Sequence, residues 1–190
     1  MEADWEVEIG GDAHVVEPDW PGFVDLRTTP EAAEQLPEAA ALPGLAQSLA
    51  RMNAKDSPVW TAKCDVWDLD GVDSRELDAT DAEAHAGAAC YVDLLPCERK
   101  CWAAHKDAAE WCGQVCERLG AIALRSCRVD LVVRATESAA ERAGFAVTAY
   151  ASAAGVDGAR ARQRLAETLA VLADTLIQMS ASGETAKRLQ

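Results

Sequence analysis

Polar and apolar residues alternate from the start of the chain. Ala3, Trp5, Val7 and Ile9 point one way and Asp4, Glu6 and Glu8 the other, the period-two pattern of a half-buried strand. Gly10-Gly11-Asp12 is a turn signal, and Ala13 to Val16 reads as a hairpin return. Residues 17–26 contain Pro18, Pro21 and Gly22 and are expected to be irregular, pinned to the body by Trp20 and Phe23. Pro30 opens a short helix that Pro37 interrupts. Pro43 opens a second, reaching Asn53 with Leu45, Leu49 and Met52 along one side.

Four further strands follow. In Val59–Leu69, Trp60, Ala62, Cys64 and Val66 are expected on one face. Cys90, Val92 and Leu94 mark the buried face of Ala88–Leu95, and Cys127, Val129, Leu131 and Val133 that of the strand ending at Ala135. Phe145–Ala153 repeats the pattern with Phe145, Val147 and Ala149. Between the second and third of these, Leu94 to Gly120 changes to a spacing of three and four. Cys97, Cys101, Ala104, Ala108, Cys112, Val115 and Leu119 form one apolar stripe. Pro96 suits the first turn of such a helix and Gly120 its end. A last helix starts after Asp157, with Leu165, Leu169, Leu172, Leu176 and Met179 as its buried stripe.

From residue 57 the element order is strand, strand, helix, strand, strand, helix. The economical fold is α+β: an open antiparallel sheet with two long helices on one face, ferredoxin-like with its last strand moved to the front. Residues 1–56 form an N-terminal extension packed on the body, 57–180 the body, and 181–190 a polar tail. Lys63, Asp65, Asp93, Arg128, Asp130, Arg134, Thr148 and Tyr150 fall on the opposite sheet face. That face is expected to be covered by the extension or by self-association, making the chain a possible homo-oligomer.

The net charge of −14 sharpens the picture because it is uneven. Residues 1–93 carry 21 acidic and 5 basic side chains, whereas 94–190 carry 11 and 13. Phosphate backbones and anionic bilayers repel such a chain, which argues against nucleic-acid and membrane partners. The acidic, alternating N-terminus is unlike a signal peptide, so a cytoplasmic location is expected, with the seven cysteines as free thiols.

Candidate chemistry centres on the Leu94–Gly120 stretch. Cys97, Cys101, His105, Cys112 and Cys116 share one arc of the expected helix, and thiolates with an imidazole suit zinc or cuprous copper. Cys101 and Cys112 would lie about 16 Å apart along the axis, so one ion would need further ligands from strand cysteines. The competing reading is that cysteine here is a small core residue. A third reading pairs Cys101 with His105 as nucleophile and base. Asp68, Asp70, Asp73 and Glu76 do not match the spacing of a helix-flanked calcium loop. No phosphate loop, dinucleotide fingerprint or nucleophile elbow is present. His14 and His85 are expected at the surface. The expectation is therefore a binding or self-associating module, with a soft-metal protein as the alternative and a cysteine enzyme third; ligand and cofactor are unknown.

Overall fold

The computed structural model describes the backbone of residues 1–11, 13–15, 23–97, 101–138 and 141–188. It describes side chains throughout these except at 15, 138, 141–143 and 180–188. The elements are β1 (Glu2–Val7), β2 (His14–Val15), a 3-10 turn (Pro30–Gln35), α1 (Pro37–Ala41), α2 (Leu45–Met52), β3 (Val59–Leu69), β4 (Ala86–Pro96), α3 (His105–Gly120), β5 (Cys127–Ser138), β6 (Glu141–Gly155) and α4 (Gly158–Arg188). α4 continues through 181–188, where a polar tail is expected from the sequence.

The class is α+β, built on a mixed sheet in the order β1-β5-β6-β4-β3. The pairs β3/β4, β4/β6 and β5/β6 are antiparallel. β1 joins the edge of β5 in parallel, and β2 continues along that same edge with His14 opposite Thr136. This corrects two expectations: the sheet is not wholly antiparallel, and β2 is not the hairpin partner of β1. The physical reason is that β5 offers an open edge of Val129, Leu131 and Val133. Ala3, Trp5 and Val7 pair with those residues in register, which places their apolar side over α3; Gly113, with no side chain, lets the Trp5 indole approach.

One core cluster joins Leu45, Leu49 and Met52 of α2, Ala108, Cys112, Val115 and Leu119 of α3, and Leu165, Leu169, Leu172 and Leu176 of α4 to alternate residues of β4, β5 and β6. A bulge between Thr61 and Cys64 reverses the facing of β3. Trp60 and Ala62 therefore join a second, smaller cluster with Leu95, Ala146 and Phe23, while Cys64 and Val66 stay with the main core. A shared face for all four was expected; one extra residue is enough to separate them.

α3 begins eight residues later than a helix opened at Cys97. Pro96 ends β4 opposite Val59 instead. Its missing N–H is harmless there, because pairing with β6 has already stopped at Leu94. Trp102 then makes a two-bond bridge to Phe145, 2.9 and 2.8 Å, and takes up the place beside β6 that β4 has left. The expected anchoring by Trp20 lies outside the described residues. Among the described residues no helix is long and apolar enough to cross a membrane.

Candidate functional site

The second sheet face, opposite the one that carries Cys90, Val92 and Leu94 into the main core, divides into a buried half and an exposed half. In the buried half lie Asp93 on β4 and Thr148 on β6, directly opposite one another. The Asp93 carboxylate is 0% exposed. Thr148 Oγ1 donates to its Oδ1 at 2.7 Å, and His14 Nε2 lies 2.6 Å from its Oδ2. A buried carboxylate without donors is costly, and here both oxygens are occupied. Thr136 Oγ1 donates to the His14 carbonyl at 2.5 Å and fixes the backbone that carries the imidazole.

In the exposed half an aromatic row crosses the sheet. Trp67 of β3 and Tyr91 of β4 have ring centroids 6.3 Å apart, and Tyr91 and Tyr150 of β6 are 6.0 Å apart. The guanidinium of Arg134 on β5 closes the row, 5.4 Å from the Tyr150 centroid. Glu8, just past β1, accepts from Arg134 at 2.6 Å. Five neighbouring segments thus contribute one side chain each, in the order fixed by strand pairing. Trp67 is 37% exposed, although it lies on the free edge strand.

Carboxylates flank this row. Asp65 is opposite Tyr91 and Asp130 opposite Tyr150 in register. Arg128 is consumed by Asp130, at 2.7–2.8 Å, with Asp4 nearby at 3.8 Å. Glu6, Asp65 and Glu76 carry no ion pair among the described residues. A cavity of about 400 Å³ at this end is lined by Asp4, Glu6, Glu76, Arg128, Asp130 and Ser152, among others. Burial pushes the Tyr91 hydroxyl up to about 12, and the Asp93 and Asp65 carboxylates add to the effect. Burial disfavours charge of either sign here, and the two carboxylates favour a cation over an anion.

The acidic segment 68–85 walls this end. Leu77 is its buried anchor. Arg162 grips Asp68 at 2.6 Å, Arg164 grips Glu83 at 2.9 Å, and Arg125 reaches Asp78 at 3.2 Å. The hydrogen bond from Arg164, with help from Thr80, holds the Glu83 carboxyl down at about 2.

The five residues singled out as metal donors are dispersed. Cys97 is exposed in the turn after β4, its N–H bonded to the Pro58 carbonyl at 2.9 Å. Cys101 is buried over Gly144, on the second sheet face. His105, the first residue of α3, sets its ring edge-on to Phe145 at 5.6 Å. Gly144 and Phe145 are successive residues of one strand, so Cys101 and His105 fall on opposite sides of β6; the nucleophile–base pair is not assembled. Cys112 and Cys116 remain one turn apart on α3. Burial raises both thiols, Cys112 to about 12 and Cys116 to about 11, with Cys116 adding to the first and Asp4 and Asp130 to the second. Cys64 is likewise raised to about 12 by burial, with Glu38 and Asp65 contributing. Among the described residues, no three His, Cys, Asp or Glu side chains are gathered closely enough to hold a metal ion.

Sequence reasoning placed Asp93, Thr148, Arg134 and Tyr150 on the correct face. It missed Tyr91 and Trp67 as their neighbours, because the bulge in β3 hides the facing of Trp67. It also missed His14, whose short strand shows no alternation long enough to assign. No protein-family model, no curated protein and no solved structure matches this chain.

Proposed function

We propose that this chain is a binding module whose exposed sheet face takes cationic groups, such as the guanidinium or ammonium side chains of a basic peptide. The observation that carries the reading is the Trp67–Tyr91–Tyr150 row with carboxylates on its flanks. Aromatic faces attract cations, and the attraction grows where the cation is partly desolvated. The chain already uses this chemistry twice on the same face. Arg134 lies over Tyr150, and Arg27 lies over Trp60 at 4.2 Å. Those cations are committed to Glu8 and Asp25. Among the described residues, no cation lies over the rings of Tyr91 and Trp67.

The body that supports this face is, in our reading, a permuted ferredoxin-like layer with α3 and α4 on one side. The strand order β5-β6-β4-β3 and the β4–α3–β5 crossover around β6 support it. We place the protein in a reducing cytoplasmic setting, consistent with seven free thiols.

The test is calorimetric titration with a hexa-arginine peptide at low salt. A saturable interaction is expected that weakens about threefold in Trp67→Ala, in keeping with one exposed cation–π contact. Net charge is the same in that variant, so general attraction to an acidic protein cannot mimic the loss. Val156→Ala removes an exposed apolar side chain between β6 and α4 and should leave binding unchanged. Equal binding by wild type and Trp67→Ala would remove the proposal; a concentration-dependent mass without peptide binding would point instead to self-association through the same face.

A further inference from the structure

We propose that His14, Asp93 and Thr148 form a proton-transfer site, in which His14 Nδ1 acts as a base toward small, uncharged acyl compounds. The two readings share Arg134 and Glu8, but neither the aromatic rings nor their cation preference enters this argument, so each is tested separately.

The geometry has three parts. The Asp93 carboxylate is buried and accepts from Thr148 Oγ1 at 2.7 Å, which leaves Oδ2 for the imidazole at 2.6 Å. An ionised carboxylate only accepts, so in the neutral ring Nε2 is the nitrogen that carries the proton toward Oδ2 and Nδ1 the one that keeps its lone pair. Among the described residues the His14 ring makes no other hydrogen bond, and the side chain is 27% exposed. The ring is thus held at one nitrogen by a buried group and has no partner at the other among the described residues, the arrangement in which a carboxylate fixes the tautomer and orientation of a catalytic imidazole. Beside it lies a cavity of about 230 Å³, lined by Glu8, Gly11, His14, Arg134 and Ala135. That volume admits a small molecule only.

The step needs no metal or redox partner. Nδ1 takes a proton from water as the water oxygen bonds to the acyl carbon. The bond from that carbon to the leaving oxygen then breaks, the oxygen departing with the electron pair. The proton held on Nδ1 passes to the leaving group or to solvent, which restores the neutral ring. Asp93 and Thr148 are positioning residues in this scheme, since neither touches the acyl compound.

A purely structural role for the dyad would give the same contacts, so the test reads chemistry and tautomer together. The probe is 4-nitrophenyl acetate, with release of 4-nitrophenolate followed across neutral pH. The intact protein should show saturable hydrolysis, reduced at least tenfold in His14→Gln and unchanged in His85→Gln and His105→Gln, both exposed elsewhere. Nitrogen-15 spectra of the histidine rings need no variant; they should report His14 protonated at Nε2 and bare at Nδ1 at neutral pH. A rate unaffected by His14→Gln, or a His14 ring carrying its proton on Nδ1, would overturn the proposal.

Discussion

His14 Nε2 and Asp93 Oδ2 are 2.6 Å apart although β5 and β6 lie between the strands that carry them. In a flat sheet those strands would be separated by about 14 Å. The contact therefore requires the sheet to curl over its second face, and the buried cluster of Trp60, Leu95 and Ala146 fills the resulting hollow. Asp93 ties β4 to β6 through Thr148 and to the edge strand through His14. Replacing it by alanine strips both partners of their acceptor. Asp93→Ala should cost about 3 kcal/mol or more in urea unfolding, and Thr148→Val about 1 kcal/mol. A loss within experimental error for Asp93→Ala would show that the curl is held by something else.

Gly144 sits where Cys101 crosses the end of β6. A Cβ there would meet Cys101 Sγ at 2.0 Å and the Trp102 carbonyl oxygen at 3.0 Å. Gly144→Ala should destabilise the fold by about 1–3 kcal/mol through overpacking. Part of that loss should return in the double variant with Cys101→Gly, because the nearest clashing atom is then gone. Additive costs in the double-mutant cycle would mean that the two positions do not touch.

Ser126 precedes β5 with φ +60°, and its buried hydroxyl has no hydrogen-bond partner among the described residues. Both features penalise a serine: the left-handed conformation favours glycine, and an unpaired buried hydroxyl costs free energy. Ser126→Gly should raise stability by about 1 kcal/mol, seen as an upward shift of the thermal midpoint by a few degrees. A lower midpoint would contradict this account of the β5 entry.

Alkaline pH separates the folded from the unfolded titration of Tyr91. An unfolded tyrosine ionises near about pH 10, whereas Tyr91 in the fold is pushed up to about 12. The stability gained by keeping it protonated is complete below the lower value and is lost as pH rises through the upper one. Cys64 and Cys112, also near 12, act in the same direction. Stability should fall steadily as pH rises from about 9, and phenolate absorbance of native Tyr91 should appear late. The thiols should follow suit at mildly alkaline pH: exposed Cys97 reacts first with a disulfide reagent, Cys97→Ser removes that fast phase, and buried Cys90, Cys112 and Cys127 react on unfolding.

Most elements could be read from periodicity, because long strands and helices repeat their pattern many times. Cys127 to Val133 and Leu165 to Leu176 lie in the core in the expected alternation and stripe. The failures are local. Pro96 fits a helix start and a strand end equally well, and the ladder partner that decides between them, Val59, is remote in sequence. One bulged residue in β3 turned Trp60 and Trp67 to the same side, which a strict period of two cannot express. The parallel seat of β1 on β5 depends on which edge is free, a property of the assembled sheet. The candidate site was least legible for the same reason: Trp67, Tyr91, Tyr150 and Arg134 come from four strands between positions 67 and 150 and meet only through pairing register. The cysteine-rich stretch drew attention by composition, yet its members are parted by the late start of α3.

The most direct measurement is a two-dimensional NMR titration of the protein with arginine methyl ester, followed at the aromatic and amide resonances. The account predicts saturable shifts at Trp67, Tyr91 and Tyr150 and at their strand neighbours Asp65 and Asp130, weakening as salt is raised. Shifts confined to the acidic segment 68–85, or spread evenly over the surface, would contradict a cation site on the sheet face.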